Sequence, residues 1–191
     1  MGAISLKYKS KSGNLTAPGD VDPGAMIPLA TTTLTTSTAT VTFSAIPQDY
    51  EHLQIRWFAR GSSLAGLYWT FNSDTGANYA RHRLSADGST VGAAGLTSQN
   101  QIYTVASWGI PNTASMFATG TYDILDYKDT TKYTTMRGLA GQDSNGSGGV
   151  ELVSGLWMNT AAVTAISITP NTGTFQQYTS FALYGIKRAG A

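Results

Sequence analysis

The nine residues HLQIRWFAR, 52–60, decide the fold class. Leu53, Ile55, Trp57 and Ala59 fall on one side of an extended chain, and Gln54, Arg56 and Arg60 fall on the other. That two-residue period belongs to a strand with one buried and one wet face. The same period recurs in both directions. In STATVTFSAI, 37–46, Ala39, Val41, Phe43 and Ala45 share a face opposite Thr38, Thr40, Thr42 and Ser44; in GLYWTFNS, 66–73, Leu67, Trp69 and Phe71 stay in phase. PQDYE and RGSSLAG between them are turn chemistry.

Further strands are expected at about 79–85, 100–107, 116–126, 132–139, 150–158, 162–169 and 178–187. Their connections, such as NSDTGAN, SADGS, YKDTTK and TPNTGT, are rich in Gly, Asn and Asp. Many short strands with such turns and no helical periodicity predict an all-β, jelly-roll-like antiparallel β-sandwich. In YTSFALYGIKR, 178–188, Phe181 and Leu183 occupy one face while Tyr184 and Ile186 occupy the other. A strand apolar on both faces belongs inside a sheet or at a subunit interface, because ordering backbone costs about 1–2 kcal/mol per residue.

The sandwich is assigned to residues 26–191. Residues 1–25 read as an extended docking arm: LKYKSKSG places Lys7, Lys9 and Lys11 on one side, and TAPGDVDPGAM carries two prolines and two glycines that bar helix and most sheet pairing. The three lysines are candidates for meeting a phosphate or an acidic protein surface, with a solvated arm as the plain alternative.

Composition narrows the function. The 191 residues suit one domain, and only 12% are charged against about 25% in an average domain. A formal net charge of +1 gives no field for nucleic acid or an anionic membrane. Cysteine is absent, which excludes disulfides and thiolate zinc sites. No apolar run approaches the roughly 20 residues that cross a bilayer, and MGAISLKYKSKSG lacks the hydrophobic stretch of an export signal.

Catalytic material is thin. His52 and His82 are the only histidines, and both read as strand residues rather than a metal pair. Glu51 and Glu151 are the only glutamates, and Asp123 and Asp126 in YDILDY, three apart, face opposite ways on a strand. GQDSNGSGG, 141–149, lacks the spaced acidic ligands of a calcium loop, and Asn145-Gly146 reads as a type I′ hairpin turn. No nucleophile elbow, P-loop or dinucleotide fingerprint occurs. The expectation is a chain without enzymatic activity or cofactor.

Aromatic side chains offer another kind of site, since their rings stack on sugar faces and anchor protein interfaces. Trp57, Trp69 and Trp157 lie in strong strand patterns and are expected in the core. Tyr68, Tyr79, Tyr103 and Trp108 are the candidates for a groove that binds a glycan or a partner, Trp108 because VASWGIPN places it beside a loop.

Three blocks in order, VTFSAIPQDYEHLQIRWFAR, FNSDTGANYARHRLSADGSTV and residues 121–188 with DILDY, GLWMNTAA and FALYGIK, resemble small virion structural proteins of tailed bacteriophages and uncultured phage sequences. The likeness covers about residues 27–188, and SGNLTAPGDVDPGAM is similar as well. It brings no catalytic residues. It implies a part made in the bacterial cytoplasm and built into a virion, as a capsid decoration protein or a tail tip or fibre component, with other virion proteins as partners. It also implies a homo-oligomer, a trimer by analogy with other virion jelly rolls, with Phe181, Leu183, Tyr184 and Ile186 as the interface strand. The alternative is a module that binds host surface glycans.

Overall fold

The computed structural model describes residues 25–106 and 108–188; Lys7, Lys9 and Lys11, with the rest of the expected arm up to residue 24, lie outside them. Twelve strands follow one another: β1 (Met26–Thr33), β2 (Val41–Phe43), β3 (His52–Ala59), β4 (Leu67–Phe71), β5 (Tyr79–Ala86), β6 (Val91–Gln99), β7 (Ile102–Thr104), β8 (Ala118–Leu125), β9 (Thr134–Asp143), β10 (Gly148–Trp157), β11 (Ile166–Pro170) and β12 (Ser180–Ile186). They form an eight-stranded sheet, β1-β12-β3-β8-β9-β10-β5-β6, and a four-stranded sheet, β2-β11-β4-β7. Every pairing is antiparallel, and the described residues contain no α-helix. The protein is an all-β sandwich, as the alternation predicted.

The inward positions of β3 and β4 are those read from the sequence: Leu53, Ile55, Trp57, Ala59, Leu67, Trp69 and Phe71 are all buried. Aromatic contacts join the sheets. Trp69 of β4 meets Tyr122 of β8 with ring centroids 5.0 Å apart, and Phe71 meets Trp157 of β10 edge-on at 5.7 Å. Phe175, in the segment before β12, packs edge-on against Phe181 at 5.2 Å. Such pairs add roughly 0.5–1.5 kcal/mol each beyond area burial.

The terminal strand proves internal. β12 lies between β1 and β3, with Ala182 opposite Thr31 on one side and Arg56 on the other. Phe181 and Leu183 are buried in the chain's own core and so face no partner; Tyr184 and Ile186 lie half-buried on the outer face, with the Arg56 guanidinium 5.6 Å from the centre of the Tyr184 ring.

Four expectations change. The strand expected around 37–46 shrinks to three residues, because Ala39 and Ala45 are exposed and Ala45 takes φ 51°. The strand expected from 162 begins at Ile166, since the Asn72 side chain captures the Thr164 and Ala165 amides at 2.8 and 3.0 Å. The strand expected over 100–107 ends at Thr104, where Val105 turns to φ 53°. And β6 has no counterpart in the reading, because VGAAGLTSQ holds one β-branched aliphatic residue and no aromatic one. The β9–β10 turn matches: Asn145 and Gly146 take φ 54° and 101°, the positive values that a type I′ turn requires and that glycine adopts without strain.

Asp74 ties the β4–β5 connection to the core. Its carboxylate accepts from Trp157 Nε1 at 2.8 Å, Gly76 N at 2.8 Å and Asn78 Nδ2 at 3.0 Å, and these donors, Trp157 foremost, hold its pKa below the ordinary 3.8. Asp74→Ala leaves the buried indole N–H unpaired, so it is expected to cost about 1–3 kcal/mol, read as a lower midpoint in thermal unfolding. A depressed carboxylate stabilises fully above its unfolded pKa and loses the contribution as pH falls through the folded value. The wild-type advantage over Asp74→Ala therefore narrows below pH 3.8.

Candidate functional site

The acid–base residues are held in separate local networks. His52 sits on β3 and His82 on β5, with β8, β9 and β10 between them, about 19 Å at the usual strand spacing, so they do not form a metal pair. His52 Nδ1 accepts from the Asp126 backbone N–H at 2.9 Å. The Asp126 carboxylate lies 2.5 Å from Lys132 Nζ, which also approaches Asp129 at 3.4 Å. Asp123, on the outer face of β8, accepts from Gln54 Nε2 at 2.8 Å and lies 3.6 Å from Arg137. Asp123 and Asp126 thus have different partners and do not form a glycosidase pair.

A buried polar cluster lies where the small sheet ends under the large one. Arg81, Arg83 and Ser85 point inward from β5, and Glu151 points inward from β10, where it is only 1% exposed. Its two carboxylate oxygens accept from the Val105 and Ala106 amides at 2.7 and 3.1 Å, while Arg83 Nη1 stands 3.6 Å away. Burial pushes the Glu151 pKa above its ordinary 4.5, against the pull of the Val105 amide and the two arginines. Arg81 is 5% exposed, and its guanidinium stacks 5.1 Å from the Tyr103 ring centre. Both Glu151 oxygens are committed to backbone, so the residue clamps the loop after β7 instead of facing a substrate.

The candidate aromatics separate. Tyr68 and Tyr103 oppose each other on β4 and β7, half-buried, with ring centroids 5.0 Å apart and Asn171 Nδ2 donating to the Tyr103 hydroxyl at 3.0 Å. Tyr79, expected to line a groove, is fully buried; its hydroxyl accepts from Phe71 N at 3.0 Å and donates to the Asp74 carbonyl at 3.1 Å. Burial pushes its pKa up to about 12. Trp108, a groove candidate because it lies beside a loop, is half-buried against the inner side of β10: its indole packs on Gly149, where any side chain would collide with it, and its carbonyl accepts from Gln142 Nε2 at 3.3 Å.

A half-exposed apolar surface has no counterpart in the sequence expectations. On the outer face of the large sheet Leu84, Leu152 and Leu139 stand directly opposite one another on β5, β10 and β9. They are 49%, 52% and 51% exposed, beside Val150 at 53% and Val91 at 71%. A groove of about 970 Å³ runs over Gly141 between Phe117, Leu139 and Val150, with the β5–β6 turn and the β9–β10 hairpin as rims. The other half of this face, on β3 and β8, carries the polar row of Arg56, Gln54 and Asp123, linked by hydrogen bonds of 2.9 and 2.8 Å. The available signal was in VELVSGLW, 150–157, where Val150 and Leu152 alternate with Val153 and Trp157 and make both faces apolar. Large contiguous apolar patches are uncommon on soluble monomers.

Comparison of the chain with protein families, with curated proteins and with solved structures returns no match.

A carboxylate whose folded pKa is raised weighs against the native state above that pKa. The penalty is relieved as pH falls from the raised value toward 4.5, where the unfolded chain also begins to bind the proton. Wild type is therefore expected to gain stability relative to Glu151→Gln as pH drops from 7 toward 4.5, read by parallel chemical denaturation. An unchanged difference across that range would refute the assigned burial cost.

Proposed function

We propose that the chain is a non-enzymatic structural component exposed on a tailed-bacteriophage particle, as capsid decoration or as part of a tail tip or fibre. The observation that carries this reading is the outer sheet face, where Leu84, Leu139, Leu152, Val150 and Val91 form an apolar field large enough to receive a neighbouring protein. The confinement of the acid–base residues to local ion pairs and backbone clamps supports it, as does the resemblance of the three sequence blocks. In this reading the basic residues of the N-terminal arm dock the sandwich to head or tail, and the groove beside Phe117 receives a side chain of an adjacent subunit.

The test is attachment to purified particles, followed by density-gradient banding and image reconstruction. Leu152→Glu puts a charge on an exposed strand position, so it is expected to leave the melting temperature nearly unchanged while reducing attachment about tenfold or more, in line with a lost central interface residue. Removal of residues 1–24 is expected to leave a folded sandwich that no longer attaches. Full attachment of both variants would refute the reading.

The Tyr68–Tyr103 pair supports a second reading, a host-glycan-binding module, because two adjacent rings with Asn171 beside them offer a stacking surface and a hydrogen-bonding amide. Binding on a glycan array that Tyr68→Ala abolishes would favour it over the first; an array without hits would remove it.

A further inference from the structure

A sheet edge offers unpaired backbone N–H and C=O groups to any passing strand, and proteins guard edges with short strands, proline, charge or bulges. Three of the four edges here follow that rule. β2 and β7 are three residues long, and β1 carries Pro28 and a register break between Pro28 and Ala30. The fourth, β6, runs nine residues, Val91–Gln99, without a proline or a charge. Its single irregularity lies at the far end, where the pairing with β5 slips after Leu96 and Ser98 takes φ 55°. Among the described residues no strand pairs with the outer side of β6.

Which groups are free follows from the hairpin. Asp87 N donates to the Thr90 carbonyl at 3.2 Å, making 87 and 90 a hydrogen-bonded pair. Hydrogen-bonded and non-bonded pairs alternate along an antiparallel ladder, so Gly92, Ala94 and Leu96 bond to Ser85, Arg83 and Arg81. The N–H and C=O groups of Val91, Ala93 and Gly95 then point away from the sheet, and the side chains of Val91 and Ala93 share the outer face with Leu84.

We propose that β6 pairs edge to edge with β6 of a second copy of this chain, antiparallel about a twofold axis through Ala93. In that register Ala93 faces its own equivalent, and Val91, the most exposed large apolar residue among those described, faces Gly95 of the second copy and packs against the His82 imidazole that lies over that glycine. The same register sets Asp87 opposite Gln99, so no like charges meet. Six backbone hydrogen bonds close the seam. Ala93 stands opposite Leu84, itself in line with Leu152 and Leu139, so the apolar row crosses the axis and continues on the second copy. The product is a dimer with one continuous sheet, where the resemblance implied a trimer, and it holds whether or not the chain is a particle component.

The test is sedimentation of the full chain at micromolar concentration together with amide hydrogen exchange. A dimer is expected, with the Val91, Ala93 and Gly95 amides protected and losing that protection on dilution. Ala93→Pro removes only the outward N–H and spares the ladder to β5; it is expected to weaken the dimer about tenfold or more with little change in melting temperature, while Ala94→Pro breaks the ladder and lowers it. Ala93→Lys, which places like charges on the axis, checks the same point without altering the backbone. A monomer, a trimer, or a dimer in which these three amides exchange freely or which survives both Ala93 variants would overturn the proposal.

Discussion

Four strands cannot cover the inner face of eight. At the usual spacing the small sheet spans about 14 Å from first strand to last and the large one about 34 Å, and the molecule is organised by how the surplus inner surface is closed. In the middle the problem does not arise, because β4 sets Trp69 and Phe71 against Tyr122 and Trp157. Toward β12 the closure is apolar: Phe175 drops onto Phe181, and its backbone bridges both Thr38 and Gly61. Toward β5 it is polar. There the loop after β7 folds under the sheet, Trp108 packs on Gly149, and Glu151 holds the amides of Val105 and Ala106. The arginines on β5 make that carboxylate tolerable, since a buried charge without partners would be far more costly than one amid guanidinium groups and amide donors.

The elements legible in the sequence were those whose two faces differ most. β3 and β4 alternate without a break, and the I′ turn declared itself through Asn145-Gly146. β2 was overdrawn because a threonine-rich alternation looks the same whether or not its alanines reach the core. β6 was invisible for the opposite reason: it is built from glycine and alanine, and its pairing with β5 is specified by the turn at 87–90 and by backbone, not by side-chain character. The role of Glu151 is not legible in the sequence, because its partners are backbone amides nearly fifty positions away in the chain. Tyr79 and Tyr103 look alike in sequence; only the register decides that one lies in the core and the other beside Tyr68.

The two halves of the outer face have different chemistry for a related reason. On β3 and β8, with Arg137 reaching over from β9, polar side chains link Arg56, Gln54, Asp123 and Arg137 across the strands, and Phe58 is the exposed apolar exception. Beyond Arg137, from Leu139 of β9 to Val91 of β6, the described residues of this face present half-exposed leucine and valine among glycine and alanine.

The placement of β12 bears on how the protein is made. β3 pairs with β12 through Arg56 and Ala182, and β1 pairs with β12 from the far side, so two early strands wait for the last one. Contacts this distant in sequence make folding slow, and a ribosome must have delivered the chain through β12 before the large sheet can close. Until then the nascent chain holds β3 with one flank unpaired, which makes its passage out of the exit tunnel the stage at which chaperone protection counts most.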